Sequence, residues 1–241
     1  VRYRRTLIEE RSREAQRLHK VLEGANIKLG AVASDLMGVS GRAMLDAIAA
    51  GQDDPELLAS LARGRLRDKH DLLVAALQGL LGPHQRSMLA AQLRHIDFLE
   101  AEITTLGTEI EERMRPFGVA IALADSIPGI AQRTAEAILA ETGTDMSRFP
   151  SAAHLASWAR VCPGTDESAG KRRSGATGPG NHWLRSALIE AAHAAARTKG
   201  TYLAAQYRRI AARRGARRAA VAVAHSILVI LYHLLRDGVI Y

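Results

Sequence analysis

The chain has 241 residues, with 33 Lys plus Arg against 25 Asp plus Glu and a formal net charge of +8. Hydrophobic residues make up 47% and aromatics only 4%, and Ala, Leu, Arg and Glu carry the mass, so the chain can bury a core of helices but not an all-β sandwich or barrel. The single cysteine, Cys162, excludes an intrachain disulfide and a thiolate zinc cluster, and no signal peptide is visible near the start.

The opening Val1-Arg2-Tyr3-Arg4-Arg5 has no methionine and reads as the start of a fragment or processed chain. Residues 1–23 read as a helix, with Leu7, Ile8, Leu18, Val21 and Leu22 as its apolar positions. Residues 27–50 hold two short amphipathic segments around the turn Gly38-Val39-Ser40-Gly41. Asp54 is placed to cap a helix that begins at Pro55 and runs to about Arg63, and another helix covers 68–81. Gly82-Pro83 breaks that helix and starts the next. There Leu89, Ile96, Ile103, Ile110 and Phe117 stand seven residues apart, with Leu99 and Leu106 three positions on and lapses at Gln92 and Arg113. Such an a/d seam predicts a coiled coil, paired with the helix at 68–81 or with a second copy of the chain.

Past Pro116 a compact all-α domain is expected, with helices at about 119–126, 131–142, 151–160, 181–197, 201–214 and 217–236. Residues 221–235 are very apolar. They are interrupted by His225, Ser226 and His233 and fall short of the roughly 20 residues a membrane span needs, so a core helix and no membrane partner are expected. The division is a helical linker region at 1–67, a coiled coil at 68–117 and an all-α domain at 118–241.

Charge is concentrated in that last domain. Residues 160–218 hold thirteen basic residues and three acidic ones, a net +10 that exceeds the excess of the whole chain. A basic concentration of this kind is an electrostatic footprint for nucleic acid.

Two constellations could carry chemistry. The first is Ser126-Ile127-Pro128-Gly129-Ile130-Ala131 between two helical segments, the pattern of a helix-hairpin-helix. Gly129 permits the turn, and the backbone N–H groups around Pro128-Gly129 and the second helix can face a phosphate. The second is residues 163–181, nineteen residues rich in Gly and Pro that cannot be helical. They contain Ser168, Ser174 and the triplet Lys171-Arg172-Arg173. A serine hydroxyl beside cations can attack a phosphodiester while the cations neutralise the developing charge; a flexible phosphate-holding loop is the other reading. Gly180-Asn181 then opens a helix, with Asn181 as N-cap, Arg185 one turn in, and a second candidate anion site at the helix start. The nine histidines show no ligand spacing, no phosphate loop of the G-x-x-x-x-G-K type is present, and no metal site is predicted in this chain.

Several stretches together resemble insertion-sequence transposases of the Piv invertase-like type, the recombinases guided by a bridge RNA. They are Arg2-Tyr3-Arg4-Arg5-Thr6-Leu7, the segment 29–43, His95-Ile96-Asp97-Phe98-Leu99 and Ile127-Pro128-Gly129-Ile130. The most specific are Cys162-Pro163-Gly164 through Glu167-Ser168-Ala169-Gly170-Lys171 to Gly180-Asn181, and Tyr207-Arg208-Arg209-Ile210. The resemblance implies a coiled coil joined to an all-α transposase domain that supplies a nucleophilic serine. It further implies an RNase-H-like domain, absent from this chain, whose acidic cluster binds Mg²⁺. Ser168 falls on the family's serine, with Ser174 in reserve. Pro128, Gly129, Lys171, Arg172, Arg173, Gly180, Asn181, Arg185, Arg208 and Arg209 are the expected nucleic-acid contacts. The family often carries a cation where this chain has Gly178.

The implied function is DNA strand cleavage and exchange in transposition, inactive in this chain alone, with DNA and a structured guide RNA as partners. A homo-oligomer through the coiled coil and a cytoplasmic, nucleoid-associated bacterial setting are expected. The alternatives are a non-catalytic helical DNA- or RNA-binding module and an oligomerisation protein with incidental basicity.

Overall fold

The computed structural model describes every residue except 164, 165, 175, 176 and 179, and only the backbone of 166–168 and 172–174. The fold is all-α, as the composition requires, and two compact units divide it: residues 3–109, and residues 1–2 with 110–241. The division differs from the expected boundaries near 68 and 118 because residues 18–96 contribute to one shared core.

In the first unit, α1 (Arg2–Gly24) buries Leu7, Glu14, Leu18 and Leu22, positions that fall on one helical face. Its partner is α6 (Pro83–Met114), whose Leu89, Leu93 and Ile96 join Leu18 and Leu22 in the core. The two helices run antiparallel. Arg11 meets Glu100 at 3.3 Å, while Glu14, further along α1, faces His95 at 3.8 Å and Arg17 at 2.8 Å. Glu14 is thus a buried carboxylate paired with the Arg17 guanidinium, the condition under which such burial is tolerated. The predicted seam is real as a periodic apolar face. Its upper half joins a core to which both α1, through Leu18 and Leu22, and the expected partner segment 68–81, through Leu73, Leu77 and Leu81, contribute. Ile103 and Leu106 lower down are half-buried, Phe117 lies past the helix end, and the lapse Gln92 is half-buried with its side-chain oxygen unpartnered.

The connecting segments are α2 (Leu29–Val32), α3 (Val39–Ala49), α4 (Pro55–Ser60) and α5 (His70–Ala76). Asp54 caps α4 by accepting from the Glu56 amide at 2.9 Å, with Pro55 at the first helical position as expected. The helix expected over 68–81 is shorter, because Gly79 closes against the end of α1. A Cβ at Gly79 would stand 2.2 Å from the Ala25 carbonyl oxygen. Arg42 of α3 holds Asp97 of α6 with both guanidinium nitrogens, and this pairing keeps the Asp97 carboxyl below its ordinary range.

The second unit contains α7 (Gly118–Asp125), α8 (Gln132–Thr142), α9 (Ala152–Trp158), α10 (His182–Arg197), α11 (Tyr202–Arg214) and α12 (Ala216–Asp237). Each lies within two residues of its predicted position. Local signals set the boundaries: Ser151, Asn181 and Thr201 cap the starts of α9, α10 and α11 through their side chains, and Gly143 and Gly215 at positive φ end α8 and α11. One short strand pair, β1 (Asp166–Ser168) with β2 (Lys171–Ser174), stands where the sequence suggested only a loop.

α12 is the axis of this core. It buries Ala219, Ala220, Val223, Ala224, Ile227, Leu228, Leu231, Tyr232 and Leu234 against residues of α7 to α11, and the Tyr232 hydroxyl donates to the Phe149 carbonyl at 3.1 Å. By length and composition this helix could also cross a membrane, but half of its most apolar window is buried inside the protein, as in a core helix.

Candidate functional site: a serine hairpin and a docked Pro-Gly turn

The Pro-Gly turn joins α7 to α8 as expected, with Ile127 and Ile130 pointing into the core. The Ile130 amide donates to the Ile127 carbonyl at 3.0 Å. Gly129 has φ +93°, the left-handed region that favours glycine. It meets a second demand that sequence did not reveal. A Cβ there would lie 2.4 Å from both the Ala191 oxygen and the Ala195 nitrogen of α10, so the turn is seated directly on the backbone of that helix. Pro128 and Gly129 remain half-exposed. No side chain caps the start of α8, and its first amides stay available to an anion.

The stretch 163–181 is organised by the strand pair. Ser168 pairs with Lys171, Glu167 with Arg172 and Asp166 with Ser174, so Arg173 is the extra residue of a bulge. Between the strands, Ala169 at φ +52° and Gly170 at φ +70° form a two-residue turn of the primed kind used by tight hairpins. Gly170 adopts this conformation freely; Ala169 does so under strain. Ser168 is therefore the last strand residue before a tight turn, and Lys171, across from it, is exposed. The side chains of Ser168, Arg172, Arg173 and Ser174 lie outside the described ones.

At the far end of this stretch Asn181 caps α10, as expected. The Asn181 side-chain oxygen accepts from the Trp183 and Leu184 amides at 3.0 and 3.1 Å, so the cap itself takes donors a phosphate would use. The Asn181 amide donates in turn to Glu141 of α8 at 2.5 Å. Glu141 is nearly buried, its side chain 7% exposed, and accepts from the Arg2 guanidinium at 2.7 and 2.6 Å. Asn181 thus fixes where the hairpin segment ends.

The hydrogen bond from Arg2, then that from Asn181, hold the Glu141 carboxyl below its ordinary range. Its folded pKa lies below its unfolded one, so its contribution to stability is full above the unfolded value and is lost as pH falls through the folded value. Glu141→Gln should lower stability at neutral pH by about 1 kcal/mol, since it removes a charge-assisted acceptor from a nearly buried network. The variant should also show a smaller stability loss under acid than the parent. Urea denaturation at neutral and acidic pH checks both.

One cation was not singled out by the sequence. Arg160 ends α9 with φ +54°, is exposed, and lies against the end of the serine segment. A Cβ on Gly178 would stand 3.2 Å from its guanidinium, and one on Gly180 would stand 2.7 Å from its Cβ. Only a positive φ at a non-glycine residue marks Arg160, and sequence does not display that. Arg185 is half-exposed on α10, and Arg208 and Arg209 are exposed on α11; none pairs with a carboxylate among the described residues. Those residues also contain no group of three His, Cys, Asp or Glu that could hold a metal.

Residues 121–208 match the family model described as Transposase IS116/IS110/IS902 family. This part of the second unit is similar to a transposase domain. The match opens in α7, takes in the docked Pro-Gly turn, Arg160, the serine hairpin and α10, and ends at Arg208. A curated relative, "Insertion element IS110 uncharacterized 43.6 kDa protein" of Streptomyces coelicolor, is 34% identical over 118 residues. That alignment covers 48% of this chain and 29% of the relative, so the chain spans well under half of the length of the insertion-element protein it matches.

Proposed function

We propose that the chain is the DNA-handling portion of an insertion-sequence transposase, and that Ser168 is its nucleophile. The observation that carries this reading is the extent of the transposase match, which encloses both the Pro-Gly turn and the serine hairpin. The Ser168 oxygen attacks a backbone phosphorus. A phosphorus–oxygen bond to serine forms, the bond to the 3′-oxygen breaks, and the serine proton passes to solvent or to the leaving oxygen. The 3′-hydroxyl of a second strand then attacks the phosphoserine, which restores a phosphodiester and frees the serine. Lys171, Arg172 and Arg173, joined by Arg160, neutralise the phosphate as charge grows on it. Pro128, Gly129 and the start of α8 hold a neighbouring phosphate, and Arg185, Arg208 and Arg209 track the backbone.

The described residues offer no carboxylate cluster fitted to Mg²⁺. In this reading such a cluster belongs to the RNase-H-like domain of the complete protein. A structured guide RNA, a cytoplasmic nucleoid setting and a homo-oligomer belong to the same proposal. For self-association, only the lower part of the α6 seam, Ile103 and Leu106, remains to meet a second copy. Ile103→Asp should raise the dimer dissociation constant at least tenfold, about 1.4 kcal/mol, by placing a charge in an apolar contact. Sedimentation of parent and variant tests this: a parent that stays monomeric at micromolar concentrations overturns it.

The nucleophile is tested by trapping. The complete recombinase is incubated with duplex DNA carrying a nick that prevents religation, and the protein is digested and mapped by mass spectrometry. A nucleotide on the Ser168 peptide is expected; a modified Ser174, or no adduct with intact strand exchange, overturns the assignment.

A further inference from the structure

A strongly charged surface begins where the transposase match ends. Between Glu190 and Asp237 the sequence contains no acidic residue, and it contains nine cations. Six of these, Arg208, Arg209, Arg213, Arg214, Arg217 and Arg218, are exposed along the second half of α11 and the first turn of α12. The corner between the two helices, at Gly215 with φ +84°, stands free of the core: every residue from 212 to 218 is exposed, and burial begins at Ala219. None of the six arginines makes an ion pair among the described residues.

The placement runs against the preferences of an isolated fold. Arg213 and Arg214 suit the C-terminal end of α11, but Arg217 and Arg218 occupy the first turn of α12, where the helix dipole already concentrates positive charge and no acidic residue offsets it. Helices ordinarily carry Asp or Glu there. Four cations around a solvent-facing corner, two of them at the unfavourable helix end, form a surface that an external polyanion completes.

We propose that the α11–α12 corner is a duplex DNA backbone clamp, separate from the serine hairpin, that holds flanking DNA without reading its sequence. All six cations are arginines, whose planar guanidinium forks match phosphate oxygens in pairs. Residues 208–218 contain no aromatic side chain on which an unpaired base could stack. Single-stranded binding relies on such platforms, whereas backbone contacts to a duplex do not. Of the two duplexes, the reading above makes DNA the partner, so the clamp rests on that reading for the identity of its ligand but not for its existence.

The test uses the full chain and three probes of one random sequence: duplex DNA, single-stranded DNA and duplex RNA. Affinity is measured by fluorescence anisotropy across a salt series. Arg213, Arg214, Arg217 and Arg218 are changed together to Ala in one variant and to Lys in another. The Ala variant should lose duplex DNA affinity at least tenfold at roughly 0.1 M salt, and its log–log salt dependence should flatten by about 0.9 for each phosphate no longer neutralised. The Lys variant should keep the slope, because the charge stays, and lose part of the affinity. Alanine favours helix, and all four sites are exposed, so an unchanged melting temperature will show that the fold persists.

Unchanged duplex affinity and slope in the Ala variant overturns the clamp. So does a larger loss on single-stranded DNA or on duplex RNA than on duplex DNA. Failure here is distinguishable from failure of the transposase reading: loss of duplex binding without any Ser168 adduct in the complete protein keeps the clamp and removes the enzyme. An adduct formed with undiminished DNA affinity by the Ala variant does the opposite.

Discussion

On the proposed reading, Ser168→Ala in the complete protein should abolish strand exchange, with loss of at least four orders of magnitude, while DNA affinity stays within about twofold of the parent. The substitution deletes one hydroxyl and no charge. The phosphate contacts of Lys171, Arg172, Arg173 and Arg160 therefore persist, and the turn at Ala169 and Gly170 that ends β1 is untouched. Ser174→Ala should be mild, since Ser174 lies at the far end of β2, opposite Asp166 and away from the turn. Changing Arg172 and Arg173 together to Ala should give the reverse pattern, weaker binding and a salt dependence flatter by up to about one unit for each phosphate left without its cation. Strand exchange assays run beside binding titrations separate these outcomes. Full recombination by the Ser168→Ala protein would show that the wrong residue has been named.

Gly129→Ala should be among the most damaging single substitutions for folding. Two costs combine at this residue. Its φ of +93° is unfavourable for any residue with a Cβ, by about 1–2 kcal/mol. The added methyl would also stand 2.4 Å from backbone atoms of Ala191 and Ala195, where no side chain can swing aside. Forced overpacking of that kind typically costs a further 1–3 kcal/mol, so a loss of roughly 2–5 kcal/mol is expected. Thermal melts of the chain, read by circular dichroism, give the number. A melting temperature unchanged within a degree would mean that the turn does not sit on α10 as described. A change in DNA binding unaccompanied by instability would instead assign Gly129 to the ligand side of the turn.

The helices of the second unit were legible because their boundaries are written locally. Asn181, Thr201 and Ser151 cap the helices that follow them, and Gly143 and Gly215 stop the ones before. The heptad spacing in α6 was equally visible, and residues 68–81 do share its core, but the part taken by α1 was not: α1 lies some eighty residues away in sequence, and periodicity states that a face needs covering without saying by what. The strand pair escaped notice because Asp166-Glu167-Ser168 and Lys171-Arg172-Arg173-Ser174 have none of the β-branched or aromatic alternation that marks strands. What remains legible there is the glycine of the turn. Long-range polar contacts were out of reach altogether. Asn181 was readable as a cap, yet nothing local announces that Glu141 and Arg2 stand behind it and anchor it.

The place of α12 in the chain has a consequence for how the protein is made. Every helix it packs against is synthesised before it, yet α12 supplies the central apolar face of the unit. Until residues 216–237 leave the ribosome, the core of the unit lacks the apolar face of α12, and the faces of α7, α9, α10 and α11 that pack on it stay open to solvent and to other nascent chains. Folding of the unit is therefore completed late. A premature stop or frameshift just upstream of Ala216 would leave the entire serine hairpin segment translated and still deny it a scaffold. Such a product is expected in the insoluble fraction, not as a soluble protein with an intact loop. The arginine corner at the start of α12 emerges immediately before the core closes, which places a strongly basic surface of the chain at the step where an unfolded intermediate is most exposed to cellular nucleic acid.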